Sequence, residues 1–332
     1  MTITFGKSTS FGLLAFAASF AFLLAAAPAS AQQPAPWRHG VLEAKSDAGF
    51  VFMASKGGFM EKQGLKVEMM QFKGDAIALK ALISGELDTY EGSPGGPILA
   101  ASNGADIKLV GCYWPIATYG IFSKASIASP LDLKGKVLAI SAPGALPDLL
   151  ARAVLEKNDI PSSEVRFSIM GSDADRFRAI MAGVVDAAAA STEFVAIAPA
   201  NVKLLVHAHD AVPNYVRLCM YANGKTLTQR RDQLIRFLAA QSAGLRHALG
   251  NREETIKLAK EMTEAKPDDP RAAYIYDEVL RYSAITPELT IPMEKLAWMK
   301  ELLGKTGNLT KPLDLAKLVD DGPRAKALEL VK

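Results

Sequence analysis

Cysteine is scarce in this sequence, with two residues in 332, and positive and negative charges nearly balance at a net +3. Two cysteines exclude a disulfide-dense scaffold and a four-cysteine metal cluster. So small a net charge gives no reason to propose nucleic acid or an anionic membrane as a partner. A hydrophobic share of 49% at this low net charge excludes disorder of the whole chain. The length favours about two domains.

The sequence also lacks the motifs that commonly mark catalysis. It contains no Gly-x-Ser-x-Gly, P-loop, Gly-x-Gly-x-x-Gly or His-Glu-x-x-His pattern. His207 and His209 share one face of a predicted strand, but no third metal ligand is evident. We therefore expect a protein that is not an enzyme and that has no cofactor and no metal site.

Residues 1–31 have the layout of a secretory signal. Lys7 is the only charged side chain there, residues 13–27 are almost purely apolar, and Ala29 and Ala31 fit the small-residue cleavage rule. The alternative is a membrane anchor, which the shortness of the apolar run disfavours. We expect a signal peptide that is cleaved after Ala31, and export of a soluble mature chain.

Cys112 and Cys219 each lie in an apolar stretch that is typical of a strand. An oxidising compartment would allow the two to pair. Free cysteine, however, often behaves as a small buried apolar residue. We expect two free, buried thiols, with a disulfide as the open alternative.

One segment of the chain recurs further along it. Residues 75–88 match residues 173–186, because each segment has Asp-Ala at its start, then an amphipathic helix, a glycine and a closing aspartate. Asp75 and Asp173 stand where an N-cap would accept the free N–H groups of a helix. The repeat predicts two β-α-β-α-β units, each with a mostly parallel sheet.

The two units predict an α/β protein in which two lobes are joined by a two-strand hinge. Lobe one is expected to comprise residues 32–122 and 218–332, and lobe two residues 123–217. The crossings would fall at Tyr119–Ser123 and Tyr215–Ala222, which are extended stretches between the lobes. The chain after the second crossing is helical, with prolines at helix starts, and these C-terminal helices are expected to pack on lobe one.

Candidate site residues follow the predicted strands, because ligands of open parallel sheets bind beyond the carboxyl ends of the strands. Glycine-rich loops there allow close backbone approach, and aromatic side chains can form walls. The candidates are Asp47, Asp75, Glu91, Gly92, Ser93, Pro94, Trp114, Tyr119, Ala142, Pro143, Gly144, Ala145, Ser191, Thr192 and Glu193. The ordinary alternative is helix capping for Asp75 and burial in a core for the two aromatic residues.

The charged candidates are acidic. Glu43, Asp47, Glu91 and Glu193 fall at or near predicted strand ends, and no lysine or arginine falls clearly among them. Several neighbouring carboxylates would repel a bare inorganic anion. The pattern therefore favours an amine, a zwitterion or an amino-heterocycle as the ligand.

Three stretches together resemble one family of proteins. Residues 58–67 read GFMEKQGLKV, residues 81–88 read ALISGELD, and residues 129–137 read SPLDLKGKV. In order and spacing they resemble the solute-binding proteins for nitrate, sulfonate and taurine uptake and the related thiamine-precursor (pyrimidine) binding proteins. The resemblance extends over residues 38–250, and it is specific for the superfamily rather than for one ligand.

This resemblance implies a type II periplasmic binding fold that closes on a small polar organic solute, sulfonate-like, taurine-like or amino-pyrimidine-like. It adds Ser46 and Ala48 to the ligand contacts, since both flank Asp47 in the loop after the first strand. The implied setting is the periplasm, with an inner-membrane ABC permease and its cytoplasmic ATPase as partners of a monomer. Two alternatives stay open: an enzyme on this fold related to pyrimidine synthesis, and a solute-sensing adaptor.

Overall fold

The computed structural model describes residues 36–331, and its strands form two five-stranded sheets. The expected signal peptide and its cleavage site lie outside the described residues. Within the described part, no helix has the length and apolar character needed to span a membrane.

Ten strands make up the two sheets. They are β1 (Trp37–Leu42), β2 (Val67–Phe72), β3 (Thr89–Gly92), β4 (Ile107–Trp114), β5 (Tyr119–Lys124), β6 (Val137–Ile140), β7 (Arg166–Ile169), β8 (Ala187–Ser191), β9 (Val202–His207) and β10 (Leu218–Asn223). The first sheet has the order β2-β1-β3-β10-β4 and the second the order β7-β6-β8-β5-β9. The two sheets therefore share one pattern, as the repeat predicted.

Each sheet is mixed because one of its strands runs antiparallel to both of its neighbours. β10 is antiparallel to its neighbours β3 and β4, and β5 is antiparallel to its neighbours β8 and β9. The other pairs, β1 with β2 and β3, and β6 with β7 and β8, are parallel. Since the whole of β5 pairs with strands of the second sheet, we propose that the crossings lie at residues 115–118 and 212–217 instead of within β5 and β10.

Helices cover the faces of both sheets. They are α1 (Ala48–Lys56), α2 (Phe59–Lys62), α3 (Asp75–Ser84), α4 (Gly95–Ser102), α5 (Leu146–Lys157), α6 (Asp173–Met181), α7 (Ala208–Ala211), α8 (Gly224–Gln229), α9 (Arg231–Gly250), α10 (Arg252–Met262), α11 (Arg271–Tyr282), α12 (Met293–Lys305), α13 (Leu315–Leu318) and α14 (Gly322–Glu329). Short 3-10 helices occupy Pro130–Leu133, Ser162–Glu164 and Thr192–Ile197. α3 and α6 are the two copies of the repeat helix.

The C-terminal helices pack mainly on the first sheet. Phe237 of α9 stacks on Trp37 of β1 at 5.4 Å between ring centroids, and Tyr276 of α11 stacks on Phe50 of α1 at 5.5 Å. All four rings belong to one buried apolar cluster. Two of these helices also reach the second lobe, because α11 contacts the 3-10 segment 192–197 and α12 contacts α5.

Cys112 and Cys219 form a disulfide, so the expectation of free thiols is wrong. The two residues lie directly opposite each other on the antiparallel neighbours β4 and β10. Side chains of directly opposed residues point to the same face of a sheet and come within bonding reach. The bond links strands that are separated by all of lobe two in the sequence.

Candidate functional site

The loops that follow β1 and β8 meet between the two lobes. Lys45 Nζ donates to Asp173 Oδ2 at 2.9 Å and to the Tyr119 hydroxyl at 3.0 Å. The backbone N–H of Ser46 donates to Glu193 Oε2 at 3.2 Å. Lys45 and Ser46 follow a strand of the first sheet, whereas their three acceptors belong to the second lobe. This polar surface between the lobes is called the interlobe site below.

Asp173 has two cationic partners. It accepts hydrogen bonds from Lys45, from Arg176 and from the Tyr119 hydroxyl, the last at 2.5 Å. Burial acts to raise the pKa of Asp173, but Lys45 and Arg176 outweigh burial and lower this pKa to about 2. Burial likewise opposes the charge of Lys45, yet Asp173 holds the pKa of the lysine well above its usual value. Both groups are therefore charged at neutral pH.

The two repeat aspartates do not cap their helices, which corrects the capping interpretation. In α6 the N-cap is Ser172, which forms a reciprocal capping box with Asp175. In α3 the N-cap is Gly74, and no side chain of the described residues caps the helix. Asp75 and Asp173 are instead the first helical residues, and their carboxylates turn toward partners outside the helix.

Glu193 is 4% exposed and lies beside other acidic groups. Burial, with Asp47 as the next cause, raises the pKa of Glu193 to about 7. Lys45 and Asp173 face it from the first loop and from α6, and Arg271 of α11 approaches Glu193 Oε1 at 3.8 Å. Glu193 is therefore the carboxylate of the interlobe site that changes its charge near neutral pH.

Arg217 neutralises Asp47 at the start of α1. Its guanidinium donates to Asp47 Oδ2 and, at 2.9 Å, to the Thr118 hydroxyl. The same guanidinium lies 4.0 Å from the centroid of the Trp114 ring. Trp114 is fully buried and packs edge-on against Phe50, so it supports Arg217 from within the apolar core.

The expectation of an acidic site without cations is therefore wrong. Lys45, Arg176, Arg217 and Arg271 all lie among the carboxylates. Lys45 could have been found, because it stands in the same loop as Asp47. Arg217 could not, because only the fold brings the second crossing to the start of α1.

Glu91 is used inside lobe one. It is 2% exposed, accepts from the Tyr113 hydroxyl at 2.8 Å, and has His39 Nε2 at 3.3 Å. Trp37 Nε1 donates to Thr89 Oγ1 at 2.9 Å, and Thr89 Oγ1 lies 2.8 Å from His39 Nδ1. The His39 ring thus bridges Thr89 and Glu91, with one ring nitrogen facing each side chain. The chain of bonds satisfies the carboxylate on the side of the sheet that α9 covers.

Asp75 contacts β3 on the face opposite to Glu91. The Tyr90 hydroxyl donates to Asp75 Oδ1. A Cβ at Gly92 would lie 1.8 Å from the Tyr90 oxygen and 2.4 Å from Asp75 Oδ1, so only glycine leaves room for this bond. Burial raises the pKa of Asp75, although the Tyr90 bond and Lys45 oppose it. The candidates Asp75 and Gly92 both lie against Tyr90, a residue that was not among the candidates.

Two further tyrosines extend this group. The Tyr215 hydroxyl and Ser93 Oγ are 2.9 Å apart, and the Tyr221 ring stacks on Tyr90 at 5.9 Å. The Tyr221 hydroxyl is buried and has no hydrogen-bond partner among residues 36–331. An unpartnered buried hydroxyl is costly, so this atom offers a binding contact to a polar group. No sequence signal marks Tyr221 as a site residue, since an aromatic residue in an apolar strand is typical of a core.

The remaining candidates differ in their contacts and in their burial. The backbone N–H of Gly144 donates to Asp148 Oδ2 at 2.8 Å, and a Cβ at Gly95 would lie 2.6 Å from the Gly144 carbonyl oxygen, so α4 and α5 approach closely. Thr192 donates to Glu278 of α11. The other candidates are buried in the cases of Ala48, Pro94 and Ser191, half-buried in the cases of Ser46 and Ala145, and exposed in the cases of Ala142 and Pro143.

Residues 45–255 match the family model described as NMT1/THI5 like. The match covers more than half of the chain and includes most of the interlobe site. The chain belongs to the NMT1/THI5-like family. Membership confirms the relationship that the three sequence stretches indicated. No protein with a curated description is similar enough to this NMT1/THI5-like chain to count as a match.

Solved structures share the fold of this NMT1/THI5-like protein. The periplasmic aliphatic sulphonate binding protein SsuA from Escherichia coli has 20% identity and a TM-score of 0.72, over 87% of this chain and 92% of that chain. The alkanesulfonate-binding protein SsuA from Xanthomonas axonopodis pv. citri, bound to MOPS, has 19% identity and a TM-score of 0.73, over 88% and 100%. The desulfurization enzyme DSZB has 15% identity and a TM-score of 0.68, over 90% and 99%. These similarities confirm the expected periplasmic binding fold.

Proposed function

We propose that this protein is the solute-binding component of an ABC importer. The observation that carries the proposal is the interlobe site, in which Lys45 and Ser46 of one lobe contact Asp173 and Glu193 of the other. A ligand held between two such surfaces would stabilise the closed arrangement of the lobes and shift the population toward it. Family membership and the shared fold of the two SsuA structures support the same function.

The proposed solute is small, polar and organic, either sulfonate-like or taurine-like, or amino-pyrimidine-like. The interlobe site offers a cation in Lys45 and a carboxylate in Asp173, and Lys45 also acts on the nearby carboxylate of Asp75. A solute with both an acceptor and a donor would match these groups better than a bare anion or a bare amine, because each buried charge then keeps a partner. Ser93 and Tyr221 supply uncharged contacts beside them.

The proposed location and partners follow from this function. The chain would be exported by the signal peptide of residues 1–31, cut after Ala31, and would act in the periplasm as a monomer. It would deliver its solute to an inner-membrane permease that a cytoplasmic ATPase drives. Lobe one would comprise the first sheet with most C-terminal helices, and lobe two the second sheet.

A melting experiment with a panel of solutes tests the proposal. The panel covers taurine, alkanesulfonates, aminopyrimidines, aromatic acids and nitrate, and a bound solute at about 100 times its Kd adds about 2.7 kcal/mol of stability. The shift should disappear in Lys45→Gln and persist in Lys66→Gln, a matched control at an exposed lysine. A melting temperature that no solute class changes would contradict the proposal.

An enzyme on this fold is the second candidate, because the structurally similar DSZB is named a desulfurization enzyme. Mass spectrometry of each stabilising solute after incubation with the protein separates the two. Recovery of the unchanged solute supports transport, whereas a product that accumulates with time would replace the binding-protein proposal with an enzymatic one.

A further inference from the structure

Helix α11 lies outside the matched residues 45–255, yet it is fixed to the first lobe. The Tyr276 hydroxyl donates to the carbonyl oxygen of Leu249 at 2.6 Å, and the Tyr276 ring stacks on Phe50. Arg252 Nε donates to Asp277 Oδ1 at 2.9 Å, which joins α11 to the start of α10. One side of α11 is therefore anchored to lobe one by both apolar and polar contacts.

The opposite side of α11 contacts the second lobe through Glu278. This side chain is 4% exposed, and its two oxygens accept from different residues of lobe two. Thr192 Oγ1 donates to Oε2, and His207 Nε2 lies 2.6 Å from Oε1. His207 Nδ1 accepts the backbone N–H of His209 at 3.1 Å, so the ring hydrogen is on Nε2 and points at the carboxylate.

Two more contacts of α11 converge on the same part of lobe two. Arg271 lies 3.8 Å from Glu193, which is the residue after Thr192. The Tyr282 ring lies 4.3 Å from the His209 ring and 5.3 Å from the His207 ring, measured between centroids. The start, middle and end of α11 thus all contact lobe two, within a helix whose other side belongs to lobe one.

We propose that Glu278 is a positioning residue of the interlobe site, which holds loop 191–193 and fastens lobe two to lobe one in the closed arrangement. The proposal rests on the proposed function in so far as loop 191–193 binds the solute. Its physical basis is that a buried carboxylate keeps its two donors only while α11 and lobe two stay together. Opening of the lobes at this contact would have to hydrate Glu278 and His207, whereas the Thr192 hydroxyl would turn to the Thr118 carbonyl oxygen, 3.0 Å away. Glu278 therefore biases the protein toward closure before any solute arrives.

Distance measurements between spin labels test the proposal without a solute, so their result is independent of the proposed function. The labels are attached to Lys80→Cys on α3 and Arg178→Cys on α6, which are exposed and occupy equivalent places in the two repeat helices, while the buried Cys112–Cys219 disulfide stays intact. We expect the interlobe distance to be longer in Glu278→Gln than in the labelled parent. Its neighbour Asp277→Asn, which loses a carboxylate that faces lobe one, should keep the parental distances.

A second variant removes the contact from the other side. Thr192→Val deletes the donor at nearly constant volume, and it should lengthen the interlobe distance in the same direction as Glu278→Gln. The double variant should shift no further than the larger single variant, because both changes break one contact. Distance distributions that are identical in the parent, Glu278→Gln and Thr192→Val would overturn the proposal, as would an equal shift in Asp277→Asn.

Discussion

At the scale of single residues, equivalent positions of the repeat have acquired different chemistry. Asp75 and Asp173 begin equivalent helices, but Asp75 pairs with an uncharged tyrosine whereas Asp173 pairs with Lys45 and Arg176. Burial outweighs the Tyr90 bond and Lys45 and so raises the pKa of Asp75, whereas Lys45 and Arg176 together outweigh burial and lower the pKa of Asp173. The interlobe site is thus asymmetric in charge although the backbone around it is nearly symmetric.

Glu193 gives a prediction of pH-dependent stability. Its pKa rises from 4.5 to about 7 on folding, so the native state holds a proton that the unfolded state releases between these values. The neutral form of Glu193 contributes its full stabilisation to the wild type below pH 4.5, and this contribution is lost as the pH rises through 7. Glu193→Gln should therefore be more stable than the wild type by about 3 kcal/mol at pH 8.

Denaturant unfolding at a series of pH values measures this difference. The stability advantage of Glu193→Gln should shrink to nothing near pH 4.5. Asp173 does not interfere, because its pKa of about 2 places its own loss of stability below pH 3.8. A stability difference that is constant from pH 4.5 to 8 would show that Glu193 is charged throughout.

Glu91 gives a prediction about stability within lobe one. Glu91→Gln presents an amide NH₂ to one of two donors, Tyr113 or His39, and leaves that donor without an acceptor. We expect a loss of about 1–3 kcal/mol in the free energy of unfolding. Urea titration measures it, with Glu86→Gln at an exposed position as the control. Unchanged stability together with weaker solute binding would instead assign Glu91 to the interlobe site.

At the scale of elements, most of what the sequence predicted follows from the repeat. Both repeat helices, the glycine after each and the shared strand pattern follow from it. We propose that β5 belongs to lobe two, although its apolar residues suit a strand of either sheet. The support for this is its pairing with β8 and β9, which the local sequence does not specify.

Reduction of the disulfide between β4 and β10 is predicted to lower the stability of the protein substantially. It closes a loop of 107 residues, so its removal enlarges the conformational freedom of the unfolded chain. The double variant Cys112→Ala, Cys219→Ala should lose about 2–5 kcal/mol of stability. Calorimetry with and without reductant checks this, since reductant should lower the melting temperature of the wild type but not of the double variant. Equal melting of the reduced and oxidised wild type would contradict it.

At the scale of the whole molecule, Lys45 is predicted to control the balance between open and closed lobes. Lys45→Gln removes the charge that faces Asp173 across the lobes, while Arg176 and Tyr119 still satisfy the aspartate. The lost charged hydrogen bond is worth about 1.5–3 kcal/mol. Small-angle scattering should show a larger radius of gyration for Lys45→Gln than for the wild type or Lys66→Gln. A radius that Lys45→Gln leaves unchanged would show that this pair does not hold the lobes.

The sequence by itself determined the architecture: two similar α/β units, a helical C-terminal part and strand-end loops that carry the candidate residues. These features follow from hydrophobic periodicity and from glycine, which act over a few residues. Only the tertiary structure decided the charge of the interlobe site, the pairing of Cys112 with Cys219, and the burial of Glu91 and Trp114. Each depends on which distant segments meet, and a side chain's charge state and exposure are set by those neighbours.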